Sequence, residues 1–126
     1  MPKNLDKPYY VLYEGQSYAL EQTTEFADWL NNLRDRSGRI RILKRLSRLA
    51  DGNFGDVKPV GDGVCELRMF FGPGYRAYFM QKGEVVVLLL AGGDKDSQFR
   101  DITLAKELAK NERDGNERDG TEDNTL

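Results

Sequence analysis

Apolar positions follow two rhythms along the chain, and the change between them divides it. Phe26, Trp29, Leu30 and Leu33 are spaced i, i+3, i+4 and i+7, which marks one face of a helix. Thr23, Thr24 and Glu25 precede them as capping and first-turn residues, so the spacing predicts an amphipathic helix over about 24–34. Asp35-Arg36-Ser37-Gly38 interrupts it. Ile40, Leu43, Leu46, Leu49 and Ala50 then predict a second helix over about 38–51, and Gly52 stands where a C-terminal glycine cap belongs. The short connection makes the two an αα-hairpin.

Elsewhere the rhythm is that of strands. Tyr9 to Tyr13 is rich in aromatic and β-branched residues, and Tyr18 to Gln22 reads as the second arm of a hairpin across Glu14-Gly15-Gln16-Ser17. After Asn53, Gly55, Pro59, Gly61 and Gly63 mark an irregular connection. Three strands follow, Cys65 to Phe71, Tyr75 to Gln81 and Glu84 to Ala91, separated by Gly72-Pro73-Gly74 and Lys82-Gly83. The last is apolar on both faces, so it belongs at the centre of the sheet or under cover on both sides. Gly92-Gly93-Asp94 reads as the turn that ends it, and Ile102, Ala105, Leu108 and Ala109 predict a helix over about 97–110. The expected fold is α+β: a small antiparallel sheet, two N-terminal helices packed on one face, and a short C-terminal helix. The chain divides into an N-terminal extension with a possible extra strand (1–16), one folded domain (17–110) and a tail (111–126).

Burial chooses a register for the Gly72-Pro73-Gly74 hairpin. With Phe71 opposite Tyr75, Arg68 faces Tyr78 and Glu66 faces Met80. Leu67, Met69, Phe71, Tyr75, Ala77 and Phe79 then share a core face. Glu66, Arg68, Phe70, Arg76, Tyr78 and Met80 share the other, which this reading leaves open. Two arginines and a tyrosine there suit phosphate and base contacts, or they solvate an exposed sheet face, with Glu66 paired to Arg68.

Composition narrows the chemistry. The 126 residues include no histidine and one cysteine. Imidazole acid–base chemistry, Ser-His-Asp and Cys-His nucleophiles and an intrachain disulfide are therefore excluded. Cys65 reads as a small core residue. The longest apolar run, Val85 to Ala91, is far short of the roughly 20 residues of a membrane-spanning helix. The first ten residues lack the apolar stretch of a secretory signal, so a cytoplasmic location is expected. The net charge of -2 hides an uneven distribution. Residues 111–126 hold six acids and two bases, leaving 17 bases against 15 acids in residues 1–110. Arg34 to Arg48 holds seven bases against Asp35 alone. Such a basic segment meets nucleic acid or an acidic protein, or forms a solvated helix face. The tail repeats Asn-Glu-Arg-Asp-Gly at 111–115 and 116–120 and has no apolar residue before Leu126, a composition expected to be disordered.

Several strings in order resemble the RelE/ParE superfamily of bacterial type II toxins, nearest its HigB-like, prophage-associated addiction module killer branch. They are Phe26-x-x-Trp29-Leu30 with Leu33-x-Asp35; Arg45-Leu46-x-Arg48-Leu49-x-x-Gly52-Asn53-x-Gly55-Asp56; Lys58-Pro59-Val60-Gly61-x-Gly63; Glu66-Leu67-Arg68; Gly72-Pro73-Gly74-Tyr75-Arg76; and Leu89-Leu90-x-Gly92-Gly93-Asp94-Lys95. They cover about residues 18–110. The resemblance implies a metal-independent endoribonuclease without a cofactor, which cuts mRNA on the ribosome and is silenced by a cognate antitoxin, in this branch a helix-turn-helix protein. It equally admits a ParE-like inhibitor of DNA gyrase without nuclease activity, or an inactive remnant that only binds an antitoxin.

By the same resemblance, Arg76 matches the arginine that stabilises the scissile phosphate, Arg68 a basic position on the preceding strand, and Lys95 a basic residue after the last strand. Cleavage by the neighbouring 2′-oxygen needs cations for the phosphorane charge and a base for the 2′ proton. Arg76 and Arg68 are the expected cations, and Lys95, Glu66 and Tyr78 the candidate bases. Lys58, Arg45, Arg48 and Tyr75 are the expected RNA contacts. The chain departs from the pattern where RelE-like enzymes place a C-terminal tyrosine: Gln98, Phe99 and Arg100 stand there.

Overall fold

The structure, a computed structural model, describes residues 10–125, with side chains described for residues 11–115. Strands β1 (Tyr10–Glu14) and β2 (Ala19–Gln22) are followed by helices α1 (Thr24–Asn31) and α2 (Arg36–Ala50). Then come β3 (Val57–Gly61), β4 (Val64–Arg68), β5 (Arg76–Lys82), β6 (Val86–Gly93) and helix α3 (Gln98–Thr125). The fold is α+β, with one six-stranded sheet in the order β1-β2-β6-β5-β4-β3. The expected sheet was purely antiparallel. The observed one is mixed, because β2 and β6 run parallel, the intervening αα-hairpin and strands supplying the long crossover that a parallel pair needs.

Local chemistry sets the helix ends. The Thr23 hydroxyl accepts the Phe26 N–H at 3.0 Å and donates to the Leu90 carbonyl at 2.7 Å, so one side chain caps α1 and ties it to β6. Asp35 caps α2 by accepting the Gly38 N–H at 2.9 Å. The helix therefore begins at Arg36, and Asp35 is its cap rather than part of a longer break. At the other end Gly52 takes φ +94. The Gly52 and Asn53 N–H groups reach back to the Leu49 and Arg48 carbonyls, both at 2.9 Å, closing a Schellman motif.

Each face of the sheet carries a core. On one, Phe26 and Leu30 of α1 and Ile42, Leu46, Leu49 and Ala50 of α2 pack against Leu20, Leu67, Ala77, Phe79, Val87 and Leu89. The buried stripe of α2 is thus Ile42-Leu46-Leu49-Ala50. Ile40 and Leu43, expected inside, are exposed. On the other face Ala105 and Ala109 of α3 lie against Val64, Tyr78, Met80, Leu88 and Leu90. The face expected to be open is therefore covered by α3. β6, central and sandwiched, is where its two-sided apolar pattern places it. Gly92 and Gly93 belong to β6 rather than to a turn. A Cβ at Gly92 would collide with the Trp29 ring, and one at Gly93 with the Asp101 carboxylate, so these glycines let α1 and α3 approach β6 closely.

The β4–β5 pairing differs from expectation by two residues: Arg68 faces Arg76, Leu67 faces Ala77 and Glu66 faces Tyr78. A slip of two keeps the parity of the strands, so Leu67, Met69, Ala77 and Phe79 stay on the helix-side core face and Glu66, Tyr78 and Met80 on the other. It brings Glu66 within reach of the Tyr78 hydroxyl, which donates to it at 2.9 Å.

The C-terminal helix is long, not short. It continues unbroken from Gln98 to Thr125, where a break at 110 and a disordered tail were expected. Glu112 pairs with Lys82 at 2.9 Å, and Arg113 donates to the Asp62 carbonyl at 2.9 Å. These contacts anchor the first tail residues to the β5 and β3–β4 turns. The tail's side chains from 116 on, and residues 1–9 of the N-terminal extension, lie outside the described residues. Among the described residues no helix is long and apolar enough to cross a membrane.

Candidate nucleic-acid interface

Arg68 and Arg76 sit directly opposite each other on neighbouring strands, an arrangement that is unfavourable unless each charge is compensated. Each turns to its own carboxylate. Arg68 Nε meets Asp56 Oδ2 at 3.1 Å, both side chains about one-third exposed. Arg76 Nε lies 3.6 Å from Glu66 Oε2, and its Nη1 donates to the Gly74 carbonyl at 2.6 Å. Two partnerships thus send the two expected phosphate cations into different environments.

The Arg76 environment is internal. Glu66, 1% exposed, accepts from the Tyr78 hydroxyl at 2.9 Å and from Gln98 Nε2 at 2.8 Å. Tyr78 is fully buried, and burial followed by the bond to Glu66 pushes its hydroxyl well above the ordinary tyrosine value. Glu66 and Tyr78 therefore do not meet a substrate proton in this conformation: α3 covers them, and they hold each other, Gln98 and Arg76. Tyr75, expected to contact RNA, is also buried. Its hydroxyl donates to Asp35 at 2.8 Å, and burial followed by that bond raises it from 10.0 to about 12. Asp35 moves the opposite way, held below its ordinary value by the Gly38 N–H and then by Tyr75. Lys95 is exposed and reaches the β4–β5 loop through its backbone N–H, 3.4 Å from the Pro73 carbonyl. Cys65 packs against the helix-side core, and burial raises its thiol.

The Arg68 environment is an open basic cavity of about 450 Å³. Arg41, Lys44, Arg45 and Arg48 line it from α2, Arg68 and Phe70 from β4 and the loop after it, and Asp56 from the segment before β3. The four α2 cations are spaced i, i+3, i+4 and i+7, so they share one helix face. Repulsion along such a stripe opposes folding unless anions meet it, and Asp56 is the one carboxylate lining this cavity among the described residues. Arg45 donates to the Asn53 carbonyl at 3.3 Å and to the Phe54 carbonyl, so α2 clamps the loop that bears Asp56. Burial, and then Arg48 nearby, lowers the Arg45 guanidinium from its ordinary value.

Of the residues expected from sequence, the cavity gathers Arg45, Arg48 and Arg68. Lys58 is exposed on β3 outside it, and Arg76, Glu66, Tyr78, Tyr75 and Lys95 do not line it. Arg41, Lys44, Phe70 and Asp56 are its additional members. The helical spacing of the cations was the available signal for the first two.

No family model matches the chain, and no solved structure does. A Haemophilus influenzae protein described as an uncharacterized protein is 45% identical over 91 residues, covering 72% of this chain and 92% of the relative. With that identity over nearly all of the relative's length, the chain belongs to the same family as the Haemophilus influenzae protein.

Proposed function

We propose that this protein is a RelE/ParE-like toxin of a type II toxin–antitoxin pair, of the HigB-like kind, acting in the cytoplasm on mRNA held by the ribosome. The observation that carries the reading is the basic cavity, where five cations from α2 and β4 surround an open volume lined, among the described residues, by the Asp56 carboxylate. Lysine and arginine in such a groove neutralise backbone phosphates whatever the base sequence. Arg68 is the cavity cation best placed to change partner: its Asp56 bridge is partly exposed, and an incoming phosphate competes for the same guanidinium. In the cleavage step the 2′-oxygen loses its proton to the base, bonds to phosphorus and expels the 5′-oxygen, which takes a proton from water. Arg68 stabilises the charge that accumulates on the phosphoryl oxygens. Lys95, exposed on the segment after β6 and outside the cavity lining, is the remaining candidate base. Arg76 acts as a positioning residue, bracing the β4–β5 loop through the Gly74 carbonyl. The ribosome, by orienting the RNA, supplies the proximity that a site without histidine lacks.

The test is induction of the chain without its antitoxin, with mRNA ends mapped in translated codons. Growth arrest with cleaved mRNA, lost in Arg68→Ala and Arg48→Ala, supports the reading. Arrest that both variants retain in full refutes the site.

One observation favours a protein-binding reading instead. A second groove of about 440 Å³ lies between β1 and α2, lined by Leu12, Tyr13, Ile40, Leu43, Lys44, Leu46 and Ser47. Its exposed apolar residues suit a protein partner, whether the antitoxin or, in a ParE-like inhibitor, gyrase. Arrest with intact mRNA and gyrase-linked DNA breaks selects the inhibitor. Folded, non-toxic protein selects an inactive antitoxin-binding remnant.

A further inference from the structure

Two adjacent phenylalanines on the wall of the basic cavity meet different fates. Phe71 is half-buried, with its ring 5.8 Å from Tyr75 in an edge-on contact and covered on one side by the Arg41 guanidinium at 4.0 Å. Phe70 is 77% exposed. Its ring contact is with Arg68, whose guanidinium carbon is 5.7 Å from the centroid, near the outer limit of a cation–π contact of about 6 Å. A large apolar ring left mostly in water at the rim of a cationic cavity gains little for folding. It does offer a flat π surface beside four or more phosphate-binding groups.

We infer that Phe70 is a stacking platform for an unpaired nucleobase, the group through which the cavity distinguishes single-stranded from duplex nucleic acid. The inference rests on the reading of the cavity as a phosphate-binding site and adds to it the residue that holds a base. Cations alone do not discriminate in this way, since both forms carry phosphates. A base inside a duplex has both faces covered by its neighbours and cannot lie on Phe70 without being extruded, whereas a single strand offers its base faces freely. The two functions separate in space: the α2 stripe follows the backbone, and Phe70, one residue beyond Met69 on the β4–β5 loop, holds a base turned away from it. Arg68 adjoins both, with its guanidinium near the ring and its Nε in the exchangeable bridge to Asp56.

The experiment is fluorescence anisotropy of the full-length chain with a labelled 2′-O-methyl oligoadenylate, which cannot be cleaved by its own 2′-oxygen, and with the same strand annealed to its complement. The wild type is expected to prefer the single strand. Phe70→Leu should weaken single-strand binding by about 5- to 160-fold, the loss of one base–aromatic stack, with the salt dependence unchanged. Phe70→Trp should restore it. Arg48→Gln should instead reduce the slope of log K against log salt by about 0.7, one phosphate contact. Because Phe70 is exposed, both substitutions leave the core intact, and thermal melts check this. If the wild type binds neither form, the cavity reading and this inference fall together. If it binds and Arg48→Gln lowers the slope, but Phe70→Leu keeps wild-type affinity and strand preference, only the stacking platform is overturned.

Discussion

Glu66→Gln is the sharpest probe of the buried cluster beneath α3, because it removes one charge and keeps the shape. The native carboxylate is 1% exposed and uses Oε2 to accept from Tyr78 at 2.9 Å and Gln98 at 2.8 Å, with Arg76 Nε at 3.6 Å. Hydrogen bonds to a charged group contribute about 1.5–3 kcal/mol and neutral ones about 0.5–1.5. An amide oxygen in the same place thus forfeits about 1 kcal/mol at each of the two bonds. Arg76, 11% exposed on its side chain, also loses its counter-charge. Removing one partner of a fully buried pair costs about 3–5 kcal/mol. The Gly74 carbonyl at 2.6 Å and the residual exposure reduce this to about 2. The expected loss is about 4 kcal/mol, a large share of a small domain's stability of about 5–15. Tyr78→Phe removes one donor and leaves the Arg76 pair whole, so it should cost about 1.5–3 kcal/mol. Urea titration followed by far-UV circular dichroism reads both as shifts in midpoint at constant slope. A Glu66→Gln loss below about 1 kcal/mol, or a Tyr78→Phe loss larger than it, would show that Glu66 is not holding a buried guanidinium. Glu66 would then return as a candidate base.

Three further outcomes are expected. Gly92→Ala places a methyl against the Trp29 ring and should destabilise by about 1–3 kcal/mol through overpacking, which a partial recovery in Gly92→Ala with Trp29→Leu would trace to that contact. Tyr75 titrates in the folded state near pH 12 instead of 10.0, so the native protein keeps a proton that the unfolded chain has released. That stabilisation is complete below pH 10 and declines as pH rises toward 12; the urea midpoint should fall through this range, and Tyr75→Phe should flatten the fall, whereas an unaltered profile in the variant would refute the assignment. Ending the chain after Lys110 removes the Glu112–Lys82 and Arg113–Asp62 contacts, and should lower the melting temperature by about 3–5 °C, on the order of 1 kcal/mol; equal melting temperatures for this chain and one ended after Gly115, which keeps both contacts, would show that they contribute nothing.

Much of the fold was legible in the sequence because it depends on local periodicity. The i, i+3, i+4 spacing of Phe26, Trp29 and Leu30, the Thr23 cap, the Gly52 stop and the two-sided apolar run of β6 each describe interactions within a few residues or within one strand. The alternation of β4 and β5 assigned the core side chains to their faces even though the pairing slipped by two, since face depends on parity and not on register, while Arg68 and Phe70 at the end of β4 line the cavity beside α2. The α2 cations could have been read as a stripe by the same periodicity. Tertiary structure alone decided what covers each face. Nothing between Glu66 and Tyr78 states that α3 will lie over them, because that depends on where a helix some twenty residues later in the chain docks. Its docking turns an apparently open face into a core and moves Arg76, Glu66 and Tyr78 from an expected surface to a buried cluster. The basic cavity arises in the same way. Arg45 and Arg68 are far apart in sequence, and they meet because the loop carrying Asp56 is clamped between the end of α2 and the edge of β4. Such a contact is set by packing geometry, which a pattern of residue types along the chain does not encode.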